Sequence, residues 1–149
     1  MFLQIFKPMN RRDLIQQVLV GGTVLVVVPS VLQSCTKTPV ASPGSVINGN
    51  KINLDLTLSD NLVLNNAGGS MIVQGIIIIN LGGGNYSALS KTCTHAGCTV
   101  GYDSVSGNIK CPCHGSVYST SGSVITGPAP SPLTSYTISR TGDILTVTL

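Results

Sequence analysis

Both histidines of this chain and four of its five cysteines lie between residues 93 and 114. They belong to two short motifs, C-T-H-A-G-C at 93–98 and C-P-C-H-G-S at 111–116. Each motif places thiols and an imidazole on one tight loop, in a chain of 149 residues that has room for one domain and a leader. Metal ligation, a disulfide framework and a nucleophilic site are three chemistries that would explain such clustering.

The charge of the chain argues against a nucleic-acid partner. Charged residues make up only 9% of the sequence, and the net charge is +3. Three basic residues and one acidic residue precede position 35, so the rest of the chain carries a net charge of only +1. A domain this close to neutrality has no electrostatic footprint for a phosphate backbone.

The first 34 residues have the pattern of an export leader. Arg11 and Arg12 precede an apolar run at 18–28, which Pro29 ends. This run is shorter than the roughly 20 residues that a spanning helix needs. The arginine pair, followed by Asp-Leu-Ile, resembles a twin-arginine export signal. A retained N-terminal anchor over residues 14–32 is the alternative.

The stretch L-Q-S-C at 32–35 resembles the lipobox of bacterial lipoproteins. Processing there would make Cys35 the new N-terminus and attach diacylglycerol to its thiol, and two acyl chains give stable anchoring. Residues 35–45, rich in Pro, Ser and Thr, would then form a flexible tether. The sequence therefore predicts a domain at 46–149 anchored on the outer, periplasmic side of a bacterial cytoplasmic membrane.

Residues 46–149 have the pattern of an all-β domain. Residues 51–58 alternate strictly, with Ile52, Leu54, Leu56 and Leu58 on one face, and the terminal hairpin turns at T-G-D with Leu145, Val147 and Leu149 facing one way. The run at 71–80, M-I-V-Q-G-I-I-I-I-N, is rich in β-branched residues and suits one strand buried on both faces, while 62–64 and 123–126 are predicted as further short strands. Together these segments predict an all-β sandwich or barrel. Residues from about 91 to 130 break the pattern, and we expect a loop-rich subdomain held by something other than a core.

The two motifs together resemble the Rieske family. Cys93, His95 and Cys98 on one loop, and Cys111, Cys113 and His114 on the other, stand where that family has them, as do Gly97, Pro112, Gly115 and Ser116. The stretch G-P-A-P at 127–130 resembles the family's proline loop. The resemblance implies an antiparallel Rieske-type β-sandwich with an inserted cluster-binding subdomain. It also implies one 2Fe–2S cluster, with Cys93 and Cys111 on one iron and His95 and His114 on the other.

The resemblance also assigns roles to four other side chains. Cys98 and Cys113 would form a disulfide that ties the two loops together, which fits a compartment outside the cytoplasm. Closing a loop of about 15 residues is worth roughly 3 kcal/mol in the chain-entropy description. Ser116 and Tyr118 match hydroxyls that donate hydrogen bonds to sulfur, which stabilises the reduced state and raises the potential.

The function that the resemblance implies is one-electron transfer, within or beside a respiratory quinol–cytochrome c oxidoreductase. Its partners would be quinol and proteins of the cytochrome b or cytochrome c type, with proton-coupled electron transfer at His95 and His114. One position departs from the pattern, since Ala96 stands where quinol-oxidising members usually have leucine. A stand-alone periplasmic electron carrier, or the small subunit of another oxidoreductase, is therefore the alternative.

Other chemistries explain less of the sequence. Two cysteines and two histidines would serve a structural zinc ion, but the remaining matched positions would then be coincidences. A framework of two disulfides leaves both histidines unexplained. A Cys–His nucleophile lacks an acid to orient its base, and an exported thiol would oxidise.

Overall fold

A computed structural model of the chain describes residues 44–149, and within them eleven strands form three antiparallel sheets. The predicted leader, the lipidated Cys35 and the tether up to residue 43 lie outside the described residues. None of the helices found between residues 44 and 149 has the length and apolar character needed to cross a membrane.

The first sheet joins the two ends of the described chain. It contains β1 (Ser45–Asn48), β2 (Lys51–Asp55), β10 (Thr137–Thr141) and β11 (Ile144–Thr148), in the order β1-β2-β11-β10. The register places Leu54 opposite Leu145 and Ile52 opposite Val147, and all four side chains are fully buried. Period-two alternation thus gives this sheet one apolar face, and the predicted terminal hairpin is present.

The second sheet consists of β3 (Ser70–Val73), β4 (Ile76–Gly82) and β5 (Asn85–Ser90). Gln74 and Gly75 connect β3 to β4, with positive φ angles of 50° and 85°. Two consecutive residues with positive φ match the right-handed twist of the flanking strands in a hairpin. Strand β5 then runs directly toward Cys93.

The run at 71–80 predicts one strand, but the turn at Gln74 and Gly75 divides it between β3 and β4, so that expectation was wrong. Strand β4 is buried on both faces, as predicted for the run. Ile76 and Ile78 face one core, and Ile77 and Ile79 face another. The first core also contains Ile52, Leu54, Leu56, Leu64, Val73, Ala88, Leu145 and Val147. The second core contains, besides the two isoleucines, Leu89, Cys93, Val100, Ile109, Cys111, Tyr118, Ala129 and Leu133.

The third sheet belongs to the region of the two motifs. It contains β6 (Gly101–Asp103), β7 (Asn108–Lys110), β8 (Val117–Tyr118) and β9 (Val124–Thr126), in that order. The expectation that this subdomain has no core was wrong, because the second core lies within it. Few aliphatic residues occur between 91 and 130, so much of this core comes from β4 and β5 in the neighbouring sheet.

Three smaller expectations were also wrong. Residues 62–64 do not form a strand but lie in a 3₁₀ helix, Ser59–Asn65. The side-chain amide of Asn61 donates to the backbone carbonyls of Gly44 and Asp55, and such local bonds compete with strand pairing. Leu58 and Leu149 are 45% and 54% exposed, since each lies beyond the end of its strand.

Candidate metal centre

The two motifs form two loops with the same internal hydrogen bonds. In the first, the N–H of Cys93 donates to the carbonyl of Cys98 at 2.8 Å, and that of Gly97 donates to Cys93 at 2.9 Å. In the second, Cys111 donates to Ser116 at 2.8 Å and Gly115 donates to Cys111 at 3.1 Å. Both glycines have φ of 75°, a backbone conformation that glycine adopts without steric cost.

The loops bring two free thiols together inside the protein. Cys93 and Cys111 are 2% and 3% exposed, and their side chains interact with each other. Burial by itself raises the pKa of Cys93, but hydrogen bonds from the Tyr118 hydroxyl and the backbone N–H groups of His95 and Ala96 outweigh it, so that its pKa falls from 9.0 to about 7. Donors that stabilise a thiolate also stabilise a sulfur bound to a metal.

The same loops bring the two imidazoles together at the surface. The Nδ1 atoms of His95 and His114 are 3.2 Å apart, and their ring centroids lie 4.7 Å apart with the rings nearly perpendicular. Two nitrogens bound tetrahedrally to one metal at about 2.0–2.1 Å lie roughly 3.3–3.4 Å apart. The spacing therefore fits two ligands of one metal ion, and both rings are exposed.

A disulfide joins the two loops between Cys98 and Cys113, as predicted. The sulfur of Cys111 lies within 4.8 Å of both disulfide sulfurs, so three cysteines resemble a metal-binding set. Cys98 and Cys113 are bonded to each other, however, and have no thiolate to offer a metal. The available donors are therefore the two free thiols and the two imidazoles.

Two buried hydroxyls accompany the thiols. Ser116 is fully buried, and its Oγ accepts a hydrogen bond from the N–H of Ala129 at 3.0 Å. Tyr118 is fully buried, and its hydroxyl lies 3.2 Å from the sulfur of Cys93. Burial and the neighbouring Cys93 raise the pKa of Tyr118, so its hydroxyl keeps its proton and can donate it to sulfur.

Sequence reasoning missed Thr94. Its backbone N–H donates to the hydroxyl oxygen of Tyr118 at 3.2 Å, and its own hydroxyl donates to the carbonyl of Ser131 at 2.6 Å. Thr94 follows the first cysteine of the motif directly, but nothing in the sequence shows that Ser131, 37 positions away, reaches it.

Lys110 directly precedes Cys111 but forms an ion pair. Its Nζ lies 2.6 Å from the carboxylate of Asp103, on the neighbouring strand. Hydrogen bonds from Lys110, and then from Ser106 and Val105, hold the pKa of Asp103 well below its ordinary value of 3.8. The positive charge nearest the second loop is thereby balanced.

A β-sheet protein with two thiols and two imidazoles on converging loops belongs to the class that binds a metal centre through mixed nitrogen and sulfur ligands. The model of the protein family described as "Rieske [2Fe-2S] domain" matches residues 37–137 of the chain. The chain belongs to the Rieske [2Fe-2S] family, and the cofactor of that family is the 2Fe–2S cluster predicted from the two motifs.

Relatives named as cytochrome subunits are similar over different lengths. The cytochrome b6-f complex iron-sulfur subunit of Synechococcus sp. (strain JA-2-3B'a(2-13)) is 34% identical over 147 residues, covering 91% of this chain and 85% of the relative. That of Prochlorococcus marinus (strain MIT 9215) is 45% identical over 76 residues, covering 46% of this chain. This second match spans only 43% of the Prochlorococcus subunit, less than half of its length.

A solved structure of a cyanobacterial protein is also similar. The plasma membrane Rieske protein PetC3 from Synechocystis PCC 6803 is 35% identical with a TM-score of 0.47, and the match covers 50% of this chain and 76% of that one.

Proposed function

We propose that this protein transfers single electrons through a 2Fe–2S cluster, as the iron–sulfur component of a membrane-bound quinol–cytochrome oxidoreductase. The observation that carries the proposal is the convergence of two buried thiols and two surface imidazoles on paired loops. We assign Cys93 and Cys111 to one iron and His95 and His114 to the other.

The donor set fits this cofactor. The buried thiol of Cys93 receives hydrogen bonds that favour its deprotonated sulfur, and the imidazole nitrogens have the spacing of two ligands on one metal. When bound, a Rieske cluster supplies one-electron uptake and release at about −150 to +300 mV, well above plant-type ferredoxins. Ligation through Nδ1 leaves Nε2 of each imidazole to hold or release a proton at the surface.

Two hydroxyls are placed to adjust the potential. The lone pair of Ser116 Oγ accepts from Ala129, which leaves the Ser116 proton free to point at a sulfide. The Tyr118 hydroxyl lies 3.2 Å from the sulfur of Cys93 and can donate its proton to it. Donors to sulfur stabilise the more negative reduced state, so both residues should raise the potential.

The exposed tip around the imidazoles carries no charged side chain. The stretches 92–99, 111–116 and 127–132 contain no Asp, Glu, Lys or Arg. Without charges, this tip cannot attract a partner electrostatically over a long distance. The rate at which it docks on an uncharged partner surface should therefore depend only weakly on ionic strength. This suits a quinol or an apolar site on a cytochrome subunit.

A second candidate is a stand-alone electron carrier. The observation that favours it is Ala96, whose exposed methyl group gives the tip a smaller apolar contact than leucine would. In either case we propose an anchor on the periplasmic side, through Cys35 and its lipid or through a retained N-terminal segment. Fatty-acid labelling that depends on Cys35 would distinguish the two forms of anchor.

Spectroscopy tests the cofactor, and purification tests the partner. The dithionite-reduced protein should give the low average g value of a Rieske cluster, with two iron and two labile sulfide per chain. A zinc-containing, colourless protein would contradict the proposal. Purification from native membranes should recover a cytochrome b, whereas a protein isolated alone would favour the carrier.

A further inference from the structure

A proline-rich segment covers the two buried hydroxyls. The proline loop extends over residues 127–132 with the sequence G-P-A-P-S-P, and its three prolines have no N–H to donate. Within the described part of the chain, two side-chain hydrogen bonds hold it. Ser116 on the second cysteine loop accepts from Ala129, and Thr94 on the first donates to Ser131.

The proline loop matters because of what lies under it. Ala129 is 8% exposed and packs in the second core, the core that also contains Cys93 and Tyr118. Displacing this loop would uncover both the buried sulfur and the hydroxyl that donates to it. Each contact with the proline loop therefore also protects the sulfur environment from water.

The hydroxyl of Thr94 has a single proton. The group that accepts this proton therefore decides whether Thr94 can act toward Tyr118 as a donor or only as an acceptor. The carbonyl of Ser131 can only accept, and at 2.6 Å it takes that proton. Toward Tyr118, 3.2 Å away, Thr94 can then offer only an oxygen lone pair. The Tyr118 oxygen already accepts from the N–H of Thr94.

The Tyr118 proton thus has two acceptors at the same distance, the sulfur of Cys93 and the oxygen of Thr94. A separation of 3.2 Å is long for O–H···O, whose usual value is about 2.7–2.8 Å. The larger radius of sulfur makes the same separation a close contact. The distances therefore favour the sulfur. Thr94 holds the Tyr118 oxygen through its N–H, and the bond from the Thr94 hydroxyl to Ser131 fixes the loop segment that carries this N–H.

We propose that Thr94 is a positioning residue that latches the proline loop to the first cysteine loop and holds the Tyr118 hydroxyl on the sulfur of Cys93. The inference rests on the proposed function, since the sulfur is the one assigned to the cluster. According to this inference, Thr94 influences the midpoint potential of the cluster although it is not a metal ligand.

The test compares Thr94→Val, which replaces the hydroxyl by a methyl group of similar size, with Thr94→Ser, which keeps the hydroxyl. The midpoint potential is measured by redox titration followed by EPR, and deuterium exchange is measured at the Ala129 amide. Thr94→Val keeps the N–H but loses the bond to Ser131, so the loop segment that carries this N–H should loosen. The potential should then shift toward that of Tyr118→Phe, and exchange should speed about tenfold, as expected for one lost hydrogen bond. A shift in the opposite direction would mean that Val only removes a competing acceptor, and it would overturn the proposal. Thr94→Ser should retain both wild-type values.

A double variant isolates the mechanism. If Thr94 acts through Tyr118, Thr94→Val should produce little further change in potential in a Tyr118→Phe background. A full, additive shift there would overturn the proposal, as would wild-type potential and exchange in Thr94→Val. Loss of iron from the Val variant with retention in the Ser variant would support the latch. A wild-type protein without a Rieske signal would instead refute the proposed function.

Discussion

The two cores on either side of β4 differ in what stabilises them. The first core consists of aliphatic side chains from strands that pair with each other and from the 3₁₀ helix. The second core combines aliphatic residues with Cys93, Cys111 and Tyr118, and a disulfide lies at its edge. Apolar burial by itself therefore stabilises the first core. In the second core, apolar burial is coupled to the binding of the cofactor that we propose.

The largest effect is expected from Cys111→Ser, which should affect the second core and leave the first core folded. Cys111→Ser removes a proposed ligand from the second core, so visible absorption and the EPR signal should disappear. The first core should still unfold cooperatively, since none of its residues is a proposed metal ligand. Iron analysis and far-UV circular dichroism measure the two effects, with Cys35→Ser as a control that loses a thiol but keeps iron. Normal iron content in Cys111→Ser would contradict the ligand assignment.

Neighbouring isoleucines of β4 provide a matched comparison. Ile77 and Ile78 are 1% and 0% exposed but face opposite cores. Replacing either with alanine should cost about 2–5 kcal/mol of unfolding free energy, because each leaves a buried cavity. Only Ile77→Ala should also speed iron loss to a chelator. Equal rates of loss in the two variants would show that the cores are not separate in this respect.

Removing the disulfide should weaken the second core by a smaller amount. Cys98→Ala combined with Cys113→Ala frees the loop between them, a loss of about 3 kcal/mol in the chain-entropy description. Faster bleaching of the cluster, followed at its visible absorption, is the measurement. Treating the wild type with dithiothreitol should reproduce the effect. Unchanged bleaching in both experiments would mean that the ligands alone hold the loops.

The smallest expected effect depends on pH. Because the Lys110 contact lowers the pKa of Asp103, this carboxylate contributes stability above its ordinary pKa of 3.8 and loses it as the pH falls through the lower, folded value. Asp103→Asn should therefore lower the urea midpoint slightly at pH 7 and leave it nearly unchanged at the acidic end.

Asp60 serves as the control for this measurement. Its carboxylate is exposed and has no ion pair among residues 44–149. Asp60→Asn should change the urea midpoint less than Asp103→Asn at pH 7. An equal change in both variants would show that the ion pair between Lys110 and Asp103 does not contribute to stability.

Much of the candidate site could be predicted from the two motifs and their resemblance to the Rieske family. Cys93 and His95, like Cys111 and His114, are close enough in sequence for one tight loop to hold both, and the glycines mark where each loop turns. The alternation at 51–58 similarly predicted a strand, because a period of two depends on neighbouring residues alone. The run at 71–80 did not reveal the turn at Gln74 and Gly75 that makes it two strands.

Contacts between distant residues could not be predicted in this way. Burial around Cys93 depends on Ile77 and Leu89, and the hydroxyl of Thr94 finds its acceptor in Ser131. The segment 62–64 is apolar enough for a strand, but it lies in a 3₁₀ helix in which the buried Asn61 side chain donates to the backbone carbonyls of Gly44 and Asp55.

The sequence by itself determined which side chains can bind a metal and that the domain consists of short strands, since both follow from residue type and short spacing. It did not reveal the strands between 101 and 118. Only the tertiary structure decided that the motif region has a core, which it shares with β4 and β5, and which hydroxyl lies beside which sulfur. Those arrangements arise when β4 packs between two layers and residues tens of positions apart come within hydrogen-bonding distance.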